Sequence, residues 1–143
     1  MKAAMAFLLL ASCVEFEPQP VPEPEPGTRC EIDAQCGAGV CARTGECTTY
    51  DDVRVAHVFW TIAKKPVDAS TCANGPDIII DLKTQPEVGQ GEVAEFGPMA
   101  CTLGQFTIDK LPSKYWIAGV RNREAGMDVP FDESWTARLD LPF

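Results

Sequence analysis

Apolar and polar residues alternate along short segments of the second half of the chain, and this pattern predicts β-strands. In residues 53–62 the alternation separates two faces: Val53, Val55, His57 and Phe59 on one, and Arg54, Ala56, Val58 and Trp60 on the other. The most regular alternation, in residues 134–141, makes every second residue apolar: Trp135, Ala137, Leu139 and Leu141. We predict further strands at residues 77–83, 105–111 and 115–120.

Turn-forming residues separate these segments, and no long stretch has the period of a helix. The predicted turns lie at residues 74–76, 89–91, 97–98, 111–113 and 125–126. Short strands punctuated in this way indicate a mainly β fold, and we predict a small antiparallel β-sandwich over residues 50–143.

The segment before this region, residues 28–49, is rich in cysteine and glycine and poor in large apolar side chains. It contains four cysteines, Cys30, Cys36, Cys41 and Cys47. So small and polar a segment has little apolar surface to bury, so we expect disulfides to hold it together. Three pairings are open for four cysteines. A Cys₄ zinc site is the alternative, but the outer cysteine spacings are longer than those of the usual zinc-binding pairs, and export would oxidise the thiols.

The first 27 residues contain two different patterns. Residues 1–12 combine Lys2, an apolar run and small residues, which is the layout of a secretory signal and too short for a membrane-spanning helix. Residues 13–27 are predicted to form a disordered linker. Within it, residues 15–27 alternate proline with Glu, Gln or Val, which predicts an extended segment with a reach of roughly 40 Å.

The sequence Leu10-Ala11-Ser12-Cys13 resembles the lipobox of bacterial lipoproteins. This resemblance implies that the chain is cut before Cys13 and that its thiol carries a fatty-acyl anchor such as palmitate. Several acyl chains give stable membrane binding. Val14 stands where an Asp causes inner-membrane retention in the best-known sorting systems, so the expected location is the cell envelope, at the periplasmic or surface face of the outer membrane. The signal is short for the family, which leaves a start upstream of Met1 open.

The spacing C-x5-C-x4-C-x5-C resembles short cysteine-rich modules of secreted and lipid-anchored bacterial proteins. The resemblance implies that Cys30 pairs with Cys41 and that Cys36 pairs with Cys47. Cys72 and Cys101 are then expected to bridge each other. Of the seven cysteines, six would form disulfides and Cys13 would be acylated.

The stretch from Cys101 to Ile108, followed by Leu111-Pro112 and Tyr115, resembles the signature of transthyretin-like sandwiches, which include the carboxypeptidase regulatory-like domains. The resemblance implies a seven-stranded β-sandwich that serves as a stalk, accessory domain or binding module. Phe106, Ile108, Leu111 and Tyr115 are expected in the core, with the tyrosine hydroxyl capping backbone groups. Ser113-Lys114 replaces the usual glycine before the tyrosine.

Charge and motifs exclude several classes of function. The net charge of −9 repels phosphate backbones, so we expect no nucleic-acid partner. No phosphate loop, dinucleotide fingerprint or serine-hydrolase motif is present, and His57 is the chain's one histidine. We therefore predict no catalytic residues, no metal and no cofactor. The acids Asp51-Asp52, Asp128 and Asp132-Glu133 are interpreted as solvated loop residues rather than calcium ligands.

These patterns favour a non-enzymatic, membrane-anchored envelope lipoprotein whose sandwich is a structural or binding module. The alternative is recognition of a carbohydrate or peptide through an exposed aromatic face formed by Trp60, Trp116 and Trp135. An envelope protein or a glycan would be the partner. A small hydrolase is the least favoured class, and it would need a pocket that joins His57 to a carboxylate and a serine.

Overall fold

A computed structural model describes residues 28–85, 91–123 and 125–142. Within these ranges the chain is mainly β, which confirms the predicted fold class. The strands of the described ranges are β1 (Val40–Cys41), β2 (Cys47–Thr48), β3 (Val53–Ile62), β4 (Asp77–Thr84), β5 (Val93–Ala100), β6 (Gln105–Pro112), β7 (Tyr115–Arg121), β8 (Gly126–Pro130) and β9 (Thr136–Leu141). Short 3-10 helices cover Asp33–Cys36, Tyr50–Asp52 and Cys101–Leu103.

Seven of these strands form a sandwich of two sheets. The three-stranded sheet has the order β6-β3-β9, and the four-stranded sheet has the order β5-β4-β7-β8. Neighbouring strands are antiparallel except for β9, which runs parallel to β3. The prediction of antiparallel strands is therefore correct for every described pair but one.

The core lies between the two sheets and follows from the alternation of each strand. Ala56, Val58 and Trp60 of β3, which the alternation placed on one face, point inward. β4 contributes Ile78, Ile80 and Leu82, and β9 contributes Ala137, Leu139 and Leu141. Of the residues that the transthyretin-like signature places in the core, Ile108, Leu111 and Tyr115 are buried and Phe106 packs against them half-buried.

The Tyr115 hydroxyl differs from its predicted role of capping backbone groups. Its oxygen lies 3.4 Å from Oε2 of Glu92, so the partner is a side-chain carboxylate. Burial raises the pKa of Tyr115 and keeps this hydroxyl protonated as a donor. The tyrosine therefore links the end of β7 to the segment that precedes β5.

Two strands, β5 and β8, were not predicted from the sequence. Both lie at edges of the four-stranded sheet, and each contains a proline, Pro98 and Pro130. The predicted turn at Gly97-Pro98 lies inside β5, where the pairing with β4 is irregular between Ile78 and Ile80. Edge strands tolerate proline because their outer N–H groups need no ladder partner, so turn-like residues occur there within a strand.

Cys72 and Cys101 form a disulfide that closes one end of the sandwich. Both half-cystines are buried in the core, which ties the loop after β3 to the short helix before β6. The cysteine-rich module, residues 28–49, carries the other two disulfides, Cys30–Cys41 and Cys36–Cys47. These are the three pairs that the sequence analysis expected.

The cysteine-rich module has its own small sheet and its own buried cluster. β1 and β2 pair antiparallel, and the buried cluster consists of the four half-cystines. Val40 and Ala42 are the other buried apolar residues of this described segment. The disulfides therefore take the place that a hydrophobic core has in a larger domain.

A bulge in β6 lies at the contact between the module and the sandwich. Arg54 of β3 pairs with Leu111, but Ala56 pairs with Ile108, so Asp109 and Lys110 together oppose one residue of β3. Lys110 adopts a φ of 51°, which non-glycine residues rarely take. Such a bulge bends the strand and re-aims its side chains, here toward the cysteine-rich module.

Candidate functional site

The three tryptophans of the predicted ligand face do not share one exposed surface. Trp60 is only 3% exposed, and its Nε1 donates a hydrogen bond of 2.8 Å to the carbonyl oxygen of Cys101. Trp135 is half-buried and contacts Phe131, with ring centroids 5.7 Å apart. Trp60 therefore belongs to the core and offers no ring surface to a ligand.

Trp116 lies on the four-stranded sheet, near Phe131. Its carbonyl oxygen accepts a hydrogen bond from the Phe131 N–H at 2.8 Å. The residue is half-buried, and its indole N–H is shielded without a hydrogen-bond partner among the described residues. Trp116 and Trp135 thus flank the same phenylalanine, but neither is an exposed platform.

An aromatic surface does exist on the outer face of the three-stranded sheet, and the sequence analysis missed it as a site. His57 and Phe59 project outward from β3, and their rings lie nearly parallel with centroids 6.4 Å apart. The guanidinium of Arg138 on β9 lies over the Phe59 ring, 4.7 Å from its centroid. We call these three residues the aromatic row.

The alternation of β3 and β9 builds this row. His57 and Phe59 are two positions apart on β3, and Arg138 is directly opposite Phe59 in the parallel ladder. Thr107 is opposite His57 on β6, and its hydroxyl lies 3.0 Å from His57 Nδ1. The prediction that His57 and Phe59 share a face was available from period-two alternation, but Arg138 joins them only through strand pairing.

The carboxylates around the aromatic row are already engaged. Asp140 accepts hydrogen bonds from the Lys64 N–H and the Thr61 hydroxyl, which lower the pKa of its carboxyl. Asp132 accepts hydrogen bonds from the Ser134 hydroxyl and the Thr136 N–H, which lower its pKa as well. Arg138 is exposed and forms no ion pair with any carboxylate of the described chain.

The outer face of the four-stranded sheet is a network of charges. Arg121 Nε donates to Asp81 Oδ2 at 2.7 Å, and its Nη2 donates to Glu95 Oε2 at 2.6 Å. Asp81 and Asp128 lie in register on either side of Gly119, where a Cβ would collide with the Asp128 carboxylate. Three carboxylates thus meet the two cations Arg121 and Lys83, and Oδ1 of the buried Asp81 has no hydrogen-bond partner among the described residues.

The acids considered as calcium ligands lie on separate elements. Asp51 and Asp52 precede β3, Asp128 lies in β8, and Asp132 lies in the turn before β9. Asp52 accepts a hydrogen bond from the Thr49 hydroxyl, and Asp128 pairs with Lys83. The chain therefore supplies donors to Asp52, Asp128 and Asp132, and the described acids do not come together in a cluster that could hold a metal ion.

Among the described residues, three cysteine sulfurs come closest to forming a metal-binding cluster. The Sγ atoms of Cys30, Cys36 and Cys41 lie within 4.8 Å of one another. Each is bonded to another sulfur in a disulfide, so none is a thiolate, the form that coordinates zinc. His57, the chain's one histidine, has the Thr107 hydroxyl as the hydrogen-bond partner of its Nδ1.

Ion pairs join the cysteine-rich module to the sandwich. Lys110 Nζ donates to both carboxylate oxygens of Asp33, at 2.8 and 2.7 Å, and Arg43 pairs with Asp109. The Arg43 N–H also donates to the Lys110 carbonyl at 3.2 Å. These contacts use both residues of the β6 bulge, so they fix the position of the module on the sandwich.

Lys114 makes a further contact between the module and the sandwich. Lys114 Nζ lies 2.9 Å from Glu46 Oε2 of the module and 2.7 Å from Glu92 Oε2 of the sandwich. Burial disfavours the lysine charge, but the hydrogen bonds to the two glutamates outweigh it and raise the pKa of Lys114. One ammonium group therefore holds two parts of the chain together.

Acid should weaken the ion pairs between the module and the sandwich. The hydrogen bond from Lys110 lowers the pKa of Asp33, and that from Arg43 lowers the pKa of Asp109. A carboxyl with a lowered pKa stabilises the folded contact above its ordinary pKa, 3.8 for Asp, and this contribution is lost as the pH falls through the lowered value. We expect Lys110→Met to raise the pKa of Asp33 toward 3.8, measured by NMR titration of the side-chain carboxyl.

The control for this titration is Arg43→Met, which should raise the pKa of Asp109 and leave that of Asp33 low. If Asp33 titrates at the same pH with and without the Lys110 ammonium, the ion pair is not formed in solution.

Cys13, the predicted signal and the predicted linker lie outside the described residues. Among the described residues, no helix is long and apolar enough to cross a membrane. Comparison with known proteins finds no matching family model, no matching curated protein and no matching solved structure.

Proposed function

We propose that this chain is an exported, lipid-anchored protein of the bacterial envelope whose β-sandwich acts as a structural or binding module rather than an enzyme. Cys13 carries the acyl anchor, residues 13–27 form the spacer, and the sandwich and its cysteine-rich module form the displayed head. Val14 favours the outer membrane. We also propose that the sandwich is related to the transthyretin-like and carboxypeptidase regulatory-like domains.

The pairing of the cysteines carries this proposal. All six cysteines after the linker form disulfides, and Cys13, in the lipobox-like sequence, is the seventh. Disulfides persist outside the cytoplasm and are rare inside it. A chain that depends on three of them for rigidity needs an oxidising compartment, which supports export.

The second candidate is recognition of a carbohydrate or peptide, and the aromatic row favours it. Half-buried aromatic side chains next to a guanidinium that forms no ion pair among the described residues offer both apolar contact and directed donors, and recognition surfaces are rich in both groups. This candidate is a specific form of the first, because a displayed binding module is also an envelope protein without catalytic activity.

Replacing the predicted acylation site tests the anchor. We expect Cys13→Ser to move the protein from the membrane fraction to the soluble fraction, because the acyl chains that provide membrane affinity are lost. The measurement is fractionation of cells with detergent-free washing, combined with the intact mass of the mature protein.

The matched control is Ser12→Ala, which keeps the cysteine and a small residue before it and should leave the protein in the membrane fraction. Membrane retention of Cys13→Ser in the proportion of the wild type would rule out the anchor.

A further inference from the structure

The aromatic row lies in the middle of a sheet, and this position limits what can bind there. β3 is the central strand of its sheet, with β6 on one side and β9 on the other. Its backbone N–H and C=O groups are used by these neighbours, so an extended peptide cannot add to it as a further strand. A ligand at this face must be recognised through side chains alone.

The side chains of the row offer two kinds of contact. The rings of His57 and Phe59 lie nearly parallel on the outer face and present apolar surface next to the hydroxyl of Thr107. The C–H groups of a sugar ring suit aromatic surface, while sugar hydroxyl groups suit polar neighbours such as Thr107 and the exposed Gln105. The face therefore combines apolar and polar contacts over the area of a flat ring.

Arg138 favours a ligand that carries negative charge. A guanidinium has five N–H donors in a planar fork that matches a carboxylate, and stacking on an aromatic ring holds it in place. The guanidinium of Arg138 stacks on Phe59 and meets no carboxylate of the described chain. The neighbouring carboxylates Asp140 and Asp132 are satisfied by other donors.

The charge of the whole chain works against an anionic ligand. The chain has a net charge of −9, so its surface repels an anionic polymer in general. Affinity for a carboxylate at this face must therefore come from the local contacts of Arg138, which is exposed and forms no ion pair among the described residues, although it interacts electrostatically with Asp132.

From these observations we infer that the aromatic row binds a polysaccharide whose sugars carry carboxylate groups, with Arg138 holding the carboxylate and Phe59 and His57 contacting the sugar face. The inference rests on the proposed function, since it needs the sandwich to be displayed in the envelope. It specifies the class of ligand and the residues that recognise it.

Binding by the full-length, oxidised chain in detergent tests the inference. The probes are polygalacturonate, its fully methyl-esterified neutral form and poly-glutamate, titrated at 0.15 M salt by calorimetry. We expect polygalacturonate to bind at least about tenfold more tightly than its neutral form, which is what one charge-assisted hydrogen bond contributes. It should also bind more tightly than poly-glutamate, which has the carboxylates but lacks the sugar ring. Equal binding of the neutral polymer or of poly-glutamate, or no binding of polygalacturonate, would overturn the inference.

Matched variants distinguish the row from general electrostatics. Arg138→Gln and Phe59→Leu should each weaken polygalacturonate binding about tenfold. Arg123→Gln removes the same charge from an exposed arginine at the end of the other sheet and should leave binding within about twofold. An equal loss for Arg123→Gln and Arg138→Gln would overturn the inference.

Arg138→Gln serves where Phe59→Leu fails to fold, because Arg138 is exposed and contributes nothing to the core. These measurements use purified protein, so a negative result leaves the fractionation of Cys13→Ser unaffected, and the two proposals fail independently.

Discussion

Trp60→Ala is expected to lower the free energy of unfolding by about 3–5 kcal/mol, the largest effect of any single substitution considered for this chain. Trp60 is 3% exposed and packs in the core between the sheets. Its removal leaves a cavity that the neighbouring strands cannot close, because hydrogen bonds hold each strand in its sheet. Denaturant unfolding with the disulfides intact measures the change.

Two further variants separate the contributions of Trp60. Trp60→Phe keeps an aromatic ring but removes the hydrogen bond to Cys101, and it should cost about 1 kcal/mol of that total. Trp116→Ala is the control, since Trp116 is half-buried and lies outside the main core cluster, so its cost should be clearly smaller. A comparable cost for Trp60→Ala and Trp116→Ala would show that Trp60 does not have the core role described.

Replacing the four cysteines of the cysteine-rich module by serine is expected to unfold that module and leave the sandwich folded. Each of its two bridges closes a short loop and contributes about 3 kcal/mol. The module's buried cluster consists of these half-cystines, so no other cluster of its own remains to hold it. Hydrogen exchange should show loss of protection in residues 28–48 and persistence in β3, β4 and β7.

The control for this variant is the pair Cys72→Ser and Cys101→Ser. The Cys72–Cys101 bridge spans 29 positions, so its loss should lower the stability of the sandwich by about 3–4 kcal/mol. Protection within the module should persist, because its own bridges are intact. If the module stays protected without its cysteines, the contacts with β6 rather than the disulfides determine its fold.

The face of β3 illustrates how far the sequence predicts this structure. Alternation alone indicated that Val58 and Trp60 share one side and that His57 and Phe59 share the other, and the structure agrees. Alternation cannot say which strand is the neighbour of β3. That β9 pairs with it in parallel, and so places Arg138 over Phe59, is a long-range choice made by the packing of the two sheets.

Strands β5 and β8 were not predicted from the sequence, and Trp135 was predicted to lie within a strand. The two differences have a similar explanation. β5 and β8 contain prolines that resemble turn signals, and their position at sheet edges makes those prolines acceptable. Trp135 continues the alternation of β9 in sequence, but it has a φ of 56° and precedes the strand. Such backbone geometry is set by the surrounding turn and leaves no sign in the pattern of apolar residues.

The sequence by itself determined the mainly β class, which residues share a face of each long strand, the need for cross-links in the cysteine-rich module and the expectation of export. These properties are local, because they depend on the period of the side chains and on composition. Only the tertiary structure decided that Trp60 is buried, that the β6 bulge seats the module, and that Arg138 stacks on Phe59. Each of these depends on which distant segments become neighbours, and that choice minimises the free energy of the whole chain rather than of any one segment.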